Sequence, residues 1–487
     1  MPKKNIAPDL SVLFAAKIHS PNPFWLASAP PTNCGEQVMR AFDAGWGGAV
    51  WKTLGDPIVN VSSRYSSVDL NGQRMMGLNN IELITDRPLE ANLREIAEVK
   101  RRYPRHALIA SLMVESKREA WHTIVQQAED AGADGLELNF GCPHGMSERG
   151  MGSAVGQVPE YTEMITGWVK ERARTPVLVK LTPNITDIRT VARAAKRAGA
   201  DGLSAINTIN SITGIDLDTF VPRPNVDGKS SHGGYCGPAV KPIALNMVQQ
   251  VQSDPESALP LSGIGGISDW RDAVEFLLLG CSTVQVCTAV MHYGYRIIED
   301  LNDGLANWMA EKGFGKISDF QSLSLPRVQE WKHLNLNYKI VARIHEEACI
   351  GCQLCYTACW DGAHQCIHMD RAGPPVQPGT GQHGAHSTPA MREAQSREVI
   401  AVTPIPKLDH AASANGEERY ATPLARIPRV DESECVGCNL CYLVCPVPGC
   451  ITMEEVDVNL PSQSWEQRTA SANDSPMTGP IHGGNLD

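Results

Sequence analysis

Eight short apolar runs alternate with amphipathic segments over residues 22–312, and this repeat limits the fold more than any other feature. The runs show no polar–apolar alternation, which is typical of strands buried on both faces. They lie at 24–28, 48–53, 107–113, 135–140, 176–182, 202–207, 259–266 and 282–288. Helical patterns follow at 36–44, 89–102, 117–131, 159–173, 187–199, 238–252, 270–280 and 294–312. Eight such units predict an α/β fold, a (β/α)8 TIM barrel over residues 1–315.

A doubly wound open sheet is the alternative arrangement of the same units. That fold usually carries a GxGxxG phosphate-binding loop after its first strand. No such loop follows the first apolar run here. The pattern therefore favours the closed barrel.

Polar residues collect where the predicted strands end, which is where barrel enzymes carry their chemistry. Polar groups at buried strand ends are costly unless a partner satisfies them, and a bound polar ligand is one such partner. Capping of helices and turns is the other explanation for any single residue. The polar residues are Ser28, Lys52, Thr53, Asn139, Lys180, Asn207 and Thr208, and the glycines Gly265 and Gly266 stand at a further strand end.

Ten of the 15 cysteines lie between Cys349 and Cys450. Two runs have the spacing C-x2-C-x2-C-x3-C, which is that of bacterial two-cluster ferredoxins. In such a run three thiolates reach one cubane and the fourth reaches the other. We therefore predict one [4Fe-4S] cluster on Cys349, Cys352, Cys355 and Cys445, and a second on Cys435, Cys438, Cys441 and Cys359. Zinc, the competing metal, usually takes two separate pairs of ligands.

Two further cysteines, Cys366 and Cys450, fall outside these sets and are interpreted as ordinary packing residues. Around the runs we predict a connector at 316–345 and a small α+β ferredoxin domain at 346–453. A long Pro-, Gly- and His-containing insertion interrupts this domain at about 371–427. Tripling a loop costs only about 1 kcal/mol in closure entropy, so the insertion is compatible with cluster binding. The polar tail, 454–487, is expected to be disordered or draped on the surface.

Composition excludes several classes of protein. The formal net charge of −11 leaves no basic surplus for binding nucleic acid. No run approaches the 18 apolar residues of a membrane span, and the N-terminal stretch does not resemble a secretory signal. Clustered cysteines of this kind indicate metal binding in a reducing compartment, so we expect a cytoplasmic protein.

Residues 138–152 read LNFGCPHGMSERGMG, and here the chain resembles the flavin-dependent dihydropyrimidine and dihydroorotate dehydrogenases. The PHGM continuation is similar to dihydropyrimidine dehydrogenases in particular, whose bacterial form has an FMN and iron–sulfur subunit. The resemblance covers roughly residues 8–310 and 346–453. Other motifs in matching order are NPFWLASAPPT (22–32), NIELI (80–84), VKLTPNITDI (179–188), GPAVKPIAL (237–245) and QVCTAV (285–290).

The resemblance implies an FMN site at the strand ends. Ser28, Lys52, Thr53 and Gly237 would line the flavin, and Lys180 would face its N1/O2 edge, where a fixed cation stabilises the reduced ring. Two lysines on separate strands favour an anionic cofactor. The phosphate would meet the backbone at Gly265, Gly266, Cys287 and Thr288.

The resemblance also implies a flat pyrimidine substrate. Its amide edges would meet Asn80, Asn139, Asn207 and Thr208, with Gly141 standing where the family usually has serine. Cys142 matches the family's acid on a mobile loop, and a free thiol is protonated at pH 7. The implied reaction reduces the C5=C6 bond of uracil or thymine, with hydride from flavin N5 to C6 and a proton from Cys142 to C5.

The chain lacks the GxGxxG pair expected for FAD and NAD. We therefore expect NAD(P)H to react on a partner flavoprotein subunit, which passes electrons through the clusters, and a homodimer within a hetero-oligomer. Three alternatives stay open. They are dihydroorotate oxidation, an electron-transfer subunit with a structural barrel, and reduction of another enone or cyclic amide.

Overall fold

The computed structural model describes residues 8–70, 73–371 and 426–473. The chain divides into two units, Met1–Val328 and Gln329–Asp487. The first contains the barrel and the second contains the cysteine runs.

The first unit is built on a closed barrel of eight parallel strands, as predicted. Neighbours around the barrel follow chain order. The strands are β1 (Phe24–Leu26), β2 (Gly48–Leu54), β3 (Ala107–Leu112), β4 (Gly135–Asn139), β5 (Val177–Lys180), β6 (Gly202–Ala205), β7 (Leu261–Ile264) and β8 (Thr283–Val286). Most of these strands end one or two residues before the predicted apolar runs end. The last residues of the runs belong to the loops that follow the strands at the carboxyl end of the barrel.

Eight helices accompany the strands, each beginning and ending within three residues of its predicted bounds. They are α1 (Gly35–Ala44), α2 (Leu89–Arg102), α3 (Arg118–Asp130), α4 (Pro159–Lys170), α5 (Ile188–Arg197), α6 (Lys241–Ser253), α7 (Trp270–Leu278) and α8 (Ile297–Lys312). Short helices at Ser153–Gly156 and Thr288–Tyr293 add to them. Their apolar faces bury Phe42, Trp121 and Phe276 against the strands. Among the described residues, no helix has both the length and the apolarity that a membrane span requires.

An N-terminal hairpin, Val12–Phe14 with Ile18–Ser20, covers the amino-terminal end of the barrel. Phe14 packs against Gly202 and Ile18 against Gly135, which are the first residues of β6 and β4. This end is therefore closed with apolar side chains, and the opposite end is left for the site.

A four-stranded antiparallel sheet stands over the carboxyl end of the barrel, and the sequence pattern does not predict it. Its order is Ile209–Ser211, Gly233–Cys236, Gln73–Asn80 and Tyr65–Leu70. These strands belong to the long loops after β2 and β6. Their polar and glycine-containing sequences carry no apolar run from which a strand is recognised.

The second unit contains two antiparallel strand pairs. Lys339–Ile344 pairs with Ile451–Val456, and Ile367–Arg371 pairs with Arg426–Val430. The last pair joins the two ends of the predicted insertion, whose residues 372–425 lie outside the described residues. The small core contains Val341, Ala342, Ile367, Ile451 and six buried cysteines.

The predicted connector and tail are both divided by the structure. Within 316–345, the turns at Ile317–Asp319 and Leu325–Arg327 lie in the first unit, whereas Lys339–Ile344 is a strand of the second. The tail, 454–487, contains the end of a strand and a helix, Trp465–Asn473. The Trp465 ring packs 6.1 Å from that of Trp331, measured between centroids. Residues 474–487 lie outside the described residues.

Candidate active site and cluster cavities

The carboxyl ends of the barrel strands surround a cavity that is open to solvent at its mouth, and the empty space in the cavity and its mouth together is about 1160 Å³. Nearly all of the barrel residues singled out from the sequence line it. They are Ser28, Lys52, Thr53, Asn80, Asn139, Cys142, Lys180, Asn207, Thr208, Gly237, Gly265, Gly266, Cys287 and Thr288. Gly141 lies behind this wall, against Asn207.

Cys142 lies in the loop that follows β4. Its Sγ is 3.5 Å from the carbonyl oxygen of His144, and its side chain is buried. Burial raises the pKa of the Cys142 thiol to about 11, against the weaker opposing effects of nearby backbone groups and the Lys180 charge. The thiol is therefore protonated at neutral pH, as a proton donor must be.

Three side chains form a hydrogen-bonded row across the cavity wall. Asn139 Nδ2 donates to Thr53 Oγ1 at 2.9 Å, and Asn207 Nδ2 donates to Asn139 Oδ1 at 2.9 Å. The Thr208 N–H donates to Asn207 Oδ1 at 2.8 Å, which fixes that amide's orientation. Asn80 is held from the overlying sheet, because its Nδ2 donates to the Gly234 carbonyl at 3.0 Å. The amides are thus preset for a ligand with N–H and C=O edges.

Asn207 leaves no space for a side chain at residue 141, which explains the glycine there. A Cβ added at residue 141 would lie 2.4 Å from Asn207 Cβ and 2.5 Å from its Nδ2. Both distances are far inside van der Waals contact. Serine at this position therefore requires Asn207 to move.

Lys52, at the end of β2, is buried in an ion pair with Glu82. The same carboxylate accepts a hydrogen bond from the Tyr65 hydroxyl and lies 3.4 Å from Arg64 Nη1. Burial, followed by the contact with Glu82, raises the pKa of Tyr65 well above its usual value, so the phenol stays a donor. Glu82 therefore joins the barrel to the overlying sheet.

Lys180, at the end of β5, also has a carboxylate partner. Its Nζ lies 3.5 Å from Glu137 Oε1, and both side chains are buried. The other oxygen of Glu137 accepts from Ser204 Oγ at 2.8 Å and from Gln285 Nε2 at 3.1 Å. The pair of lysines expected to make the cavity cationic is therefore balanced by two buried carboxylates.

At Gly265 and Gly266, the loop after β7 presents backbone without a side chain to the cavity wall. Gly265 and Gly266 have φ of +133° and +74°, and a Cβ on Gly266 would lie 2.7 Å from the backbone nitrogen of Lys241, the first residue of α6. Only glycine fits this conformation and this approach. This crowding lies on the side of α6, and toward the cavity, which both residues line, they present only backbone. Backbone N–H groups of this kind can bind a phosphate.

The second unit contains two small cavities lined by thiols. One holds Cys349, Cys352, Cys355, Cys445 and Cys450, and the other holds Cys359, Cys366, Cys435, Cys438 and Cys441. The predicted sets of four are thus brought together, each with one additional cysteine. The remaining lining is largely apolar, including Ile344, Val447, Val430 and Met453. Soft thiolate donors in an apolar cavity fit a [4Fe-4S] cluster.

Two carboxylates of the site, Glu82 and Glu137, were not anticipated from the sequence. Glu137 stands inside the apolar run at 135–140, where a buried charge requires a partner, so a signal was present. Glu82 follows Asn80 by two residues in the motif at 80–84. Its side-chain partners are Lys52 and the adjacent Arg64 and Tyr65, and no local pattern indicates that these two segments meet at Glu82.

Comparison with known proteins agrees with this architecture. The family model described as dihydroorotate dehydrogenase matches residues 15–309, and the model described as 4Fe-4S binding domain matches residues 428–448. The chain is 46% identical over 361 residues to the NAD-dependent dihydropyrimidine dehydrogenase subunit PreA of Escherichia coli, which covers 74% of this chain and 87% of that one.

Two other relatives share the barrel region. The chloroplastic dihydropyrimidine dehydrogenase (NADP(+)) of Arabidopsis thaliana is 44% identical, covering 65% of this chain and 77% of its own. The catalytic subunit of dihydroorotate dehydrogenase B (NAD(+)) of Pyrococcus abyssi is 37% identical. The match covers 62% of this chain and 95% of the Pyrococcus chain. A ligand-free DHODH structure from Eimeria tenella superposes with a TM-score of 0.55 at 19% identity, over 66% of this chain and 93% of that one, which supports the fold alone. The chain therefore belongs to the dihydroorotate dehydrogenase family, and its barrel is followed by a 4Fe-4S binding domain.

Proposed function

We propose that the protein reduces the C5=C6 bond of uracil or thymine to the 5,6-dihydropyrimidine, and that Cys142 donates the proton to C5. The observation that carries this proposal is a protonated, buried thiol that lines the same cavity as an ordered row of amides. The relatives named dihydropyrimidine dehydrogenase support the substrate class.

The pyrimidine is bound by Asn80, Asn139, Asn207 and Thr208. Each amide offers a donor and an acceptor, so together they match the alternating N–H and C=O groups of the ring edge. The neutral ring also suits the charge of the cavity. Among the described lining residues, both lysines are paired with carboxylates, which leaves no unpaired lysine for the carboxylate of orotate.

The cofactor of the barrel is FMN, which supplies hydride transfer when it is bound. The lining residues fit FMN, because Gly265 and Gly266 expose backbone to the cavity beside Cys287 and Thr288, where the phosphate would bind. Ser28, Lys52, Thr53 and Gly237 hold the ring system. Lys180, kept in place by Glu137, presents a positive charge that stabilises the electron-rich edge of the reduced ring.

The second unit holds two [4Fe-4S] clusters, which supply one-electron transfer when they are bound. One is ligated by Cys349, Cys352, Cys355 and Cys445, and the other by Cys435, Cys438, Cys441 and Cys359. Burial raises the pKa of Cys355 and of Cys441 to about 11, so these thiols give up their protons to solvent when a cluster binds.

Electrons reach this chain from a partner flavoprotein subunit that oxidises NAD(P)H. The E. coli relative is named a subunit of an NAD-dependent enzyme, and this sequence has no GxGxxG pair for FAD and NAD. We place a homodimer of the chain within that hetero-oligomer, in the cytoplasm, where cysteines stay reduced.

The test is an anaerobic assay of the dithionite-reduced chain with uracil, thymine and orotate. We expect the first two to reoxidise the bound flavin and orotate to fail. The Cys142→Ala variant, with flavin and iron contents unchanged, should lose this reoxidation. Unchanged turnover in that variant would show that the chemistry assigned to Cys142 is wrong, and failure of both pyrimidines would favour a purely electron-transferring subunit.

A further inference from the structure

Each of the two cluster cavities contains a fifth cysteine that the ligand pattern leaves unused. Cys366 lies with Cys359 and the run that starts at Cys435, and Cys450 lies with Cys445 and the run that starts at Cys349. A [4Fe-4S] cluster takes four thiolates, so each cavity has one thiol to spare.

The fifth thiols touch the thiols of the predicted ligands. Cys366 Sγ lies 3.4 Å from Cys359 Sγ and also contacts the Cys435 thiol. Cys450 contacts the thiols of Cys445 and Cys349 in the same way. In each cavity, the fifth cysteine therefore meets the fourth cysteine of its own run and the first cysteine of the other run.

The two positions are structurally equivalent. Cys366 directly precedes the strand Ile367–Arg371, and its carbonyl accepts from the Asp431 N–H at 2.8 Å. Cys450 directly precedes the strand Ile451–Val456, and its carbonyl accepts from the His345 N–H at 2.8 Å. Asp431 and His345 each stand four residues before the first cysteine of a run. The internal twofold repeat therefore places a thiol at the same point in both halves.

We propose that Cys366 and Cys450 are reserve ligands of the two [4Fe-4S] clusters, able to replace Cys359 and Cys445. The inference rests on the cluster assignment of the proposed function. In the exchange the iron–sulfur bond to Cys359 would be replaced by one to Cys366, and the Cys366 thiol proton would pass to the released Cys359 thiolate. No electron is gained or lost. Cys359 is the ligand replaced because it reaches its cluster alone, whereas Cys435 shares a loop with two other ligands.

The test is the iron content and the EPR spectrum of dithionite-reduced chain purified without oxygen. The wild type should hold about eight iron atoms. Cys359→Ala should keep about eight, because Cys366 takes over, whereas Cys359→Ala with Cys366→Ala should keep about four. The equivalent Cys445 and Cys450 variants test the other cavity independently. In either cavity, a single variant that holds no more iron than the matching double variant overturns the reserve role.

Two controls separate the possible failures. Cys281, a buried cysteine of the barrel, is replaced by alanine in the Cys359→Ala background, and about eight iron atoms should remain. If Cys359→Ala does not fold, Cys359→Ser is used. It should show the wild-type EPR signal, and losing that signal with Cys366 still present overturns the proposal. A wild type with fewer than about eight iron atoms contradicts the cluster assignment itself, and the reserve role falls with it.

Discussion

The side-chain amide of Asn207 donates a hydrogen bond of 2.9 Å to Asn139, joining the loop after β6 to the end of β4. Asn139 Oδ1 also accepts from the Gly141 N–H at 3.3 Å, so the loop that carries Cys142 is tied to the same amide. The groups proposed to bind the pyrimidine and to protonate it are therefore one connected unit. A change at any member should affect both.

Gly141→Ala tests this connection. The added Cβ would lie 2.4 Å from Asn207 Cβ, so Asn207 has to move and its bond to Asn139 should break. Overpacking of this kind costs about 1–3 kcal/mol of stability. Because the amide proposed to bind the substrate is displaced, we expect KM for uracil to rise about tenfold, which is about 1.4 kcal/mol of binding. Steady-state kinetics and denaturant unfolding measure the two effects.

Gly167→Ala in α4 is the matched control. A Cβ there meets nothing within 4 Å, and the residue is in ordinary helical conformation. Alanine at such a position stabilises by about 0.4–1 kcal/mol and should leave KM unchanged. Equal KM values for the two variants would contradict the role given to the space beside Gly141.

The pH dependence of the reaction follows from the Cys142 thiol. Its pKa is raised to about 11, and the protonated form is the proposed acid, so pyrimidine reduction should stay level up to about pH 10 and fall above it. Oxidation of the dihydropyrimidine needs the thiolate, so it should rise about tenfold per pH unit below that value. Single-turnover rates in both directions check this. A reduction rate that falls near pH 8 would contradict it.

The barrel could be predicted because its strands are buried on both faces and its helices on one. The strands therefore appear in the sequence as continuous apolar runs, and the helices as apolar residues at helical spacing. The overlying sheet could not be predicted, because strands such as Ile209–Ser211 and Gly233–Cys236 are held by pairing with one another. Their sequences contain glycine and polar residues, which on their own favour loops. The second unit was located by its cysteine spacing, which reports the ligands but says little about the strands around them.

Site residues could be predicted from the sequence where a single polar residue stands at the end of a buried strand. Asn139 and Lys180 are of this kind, and both line the cavity. Partners were harder to predict. The pairing of Lys52 with Glu82 depends on the path of a loop between β2 and α2, and such a path is not encoded in local periodicity. For the same reason, the positions of Cys366 and Cys450 in the cluster cavities became visible only in the folded chain.

Removing one partner of the pair Lys52–Glu82 should destabilise the chain strongly, because both groups are buried. Glu82→Gln leaves the Lys52 charge uncompensated, at a cost of about 3–5 kcal/mol. Adding Lys52→Met should recover part of that loss, since no buried charge then remains. Denaturant unfolding of the four chains forms a double-mutant cycle. Glu98→Gln, which removes an exposed pair with Arg102, should cost less than about 1 kcal/mol. Similar losses at Glu82 and Glu98 would contradict the argument.

Gly266→Ala tests the proposed phosphate wall. The substitution strains a residue with φ of +74° and drives a Cβ to 2.7 Å from the backbone nitrogen of Lys241, so the loop must move and the backbone proposed to bind the phosphate moves with it. We expect the purified chain to lose most of its FMN, measured by absorbance at about 450 nm after denaturation. Gly313→Ala is the control, because its φ of +78° carries the same strain, about 1–2 kcal/mol, with nothing within 4 Å of the new Cβ. That variant should lose stability and keep its flavin. If both variants retain FMN equally, the phosphate does not lie against Gly266.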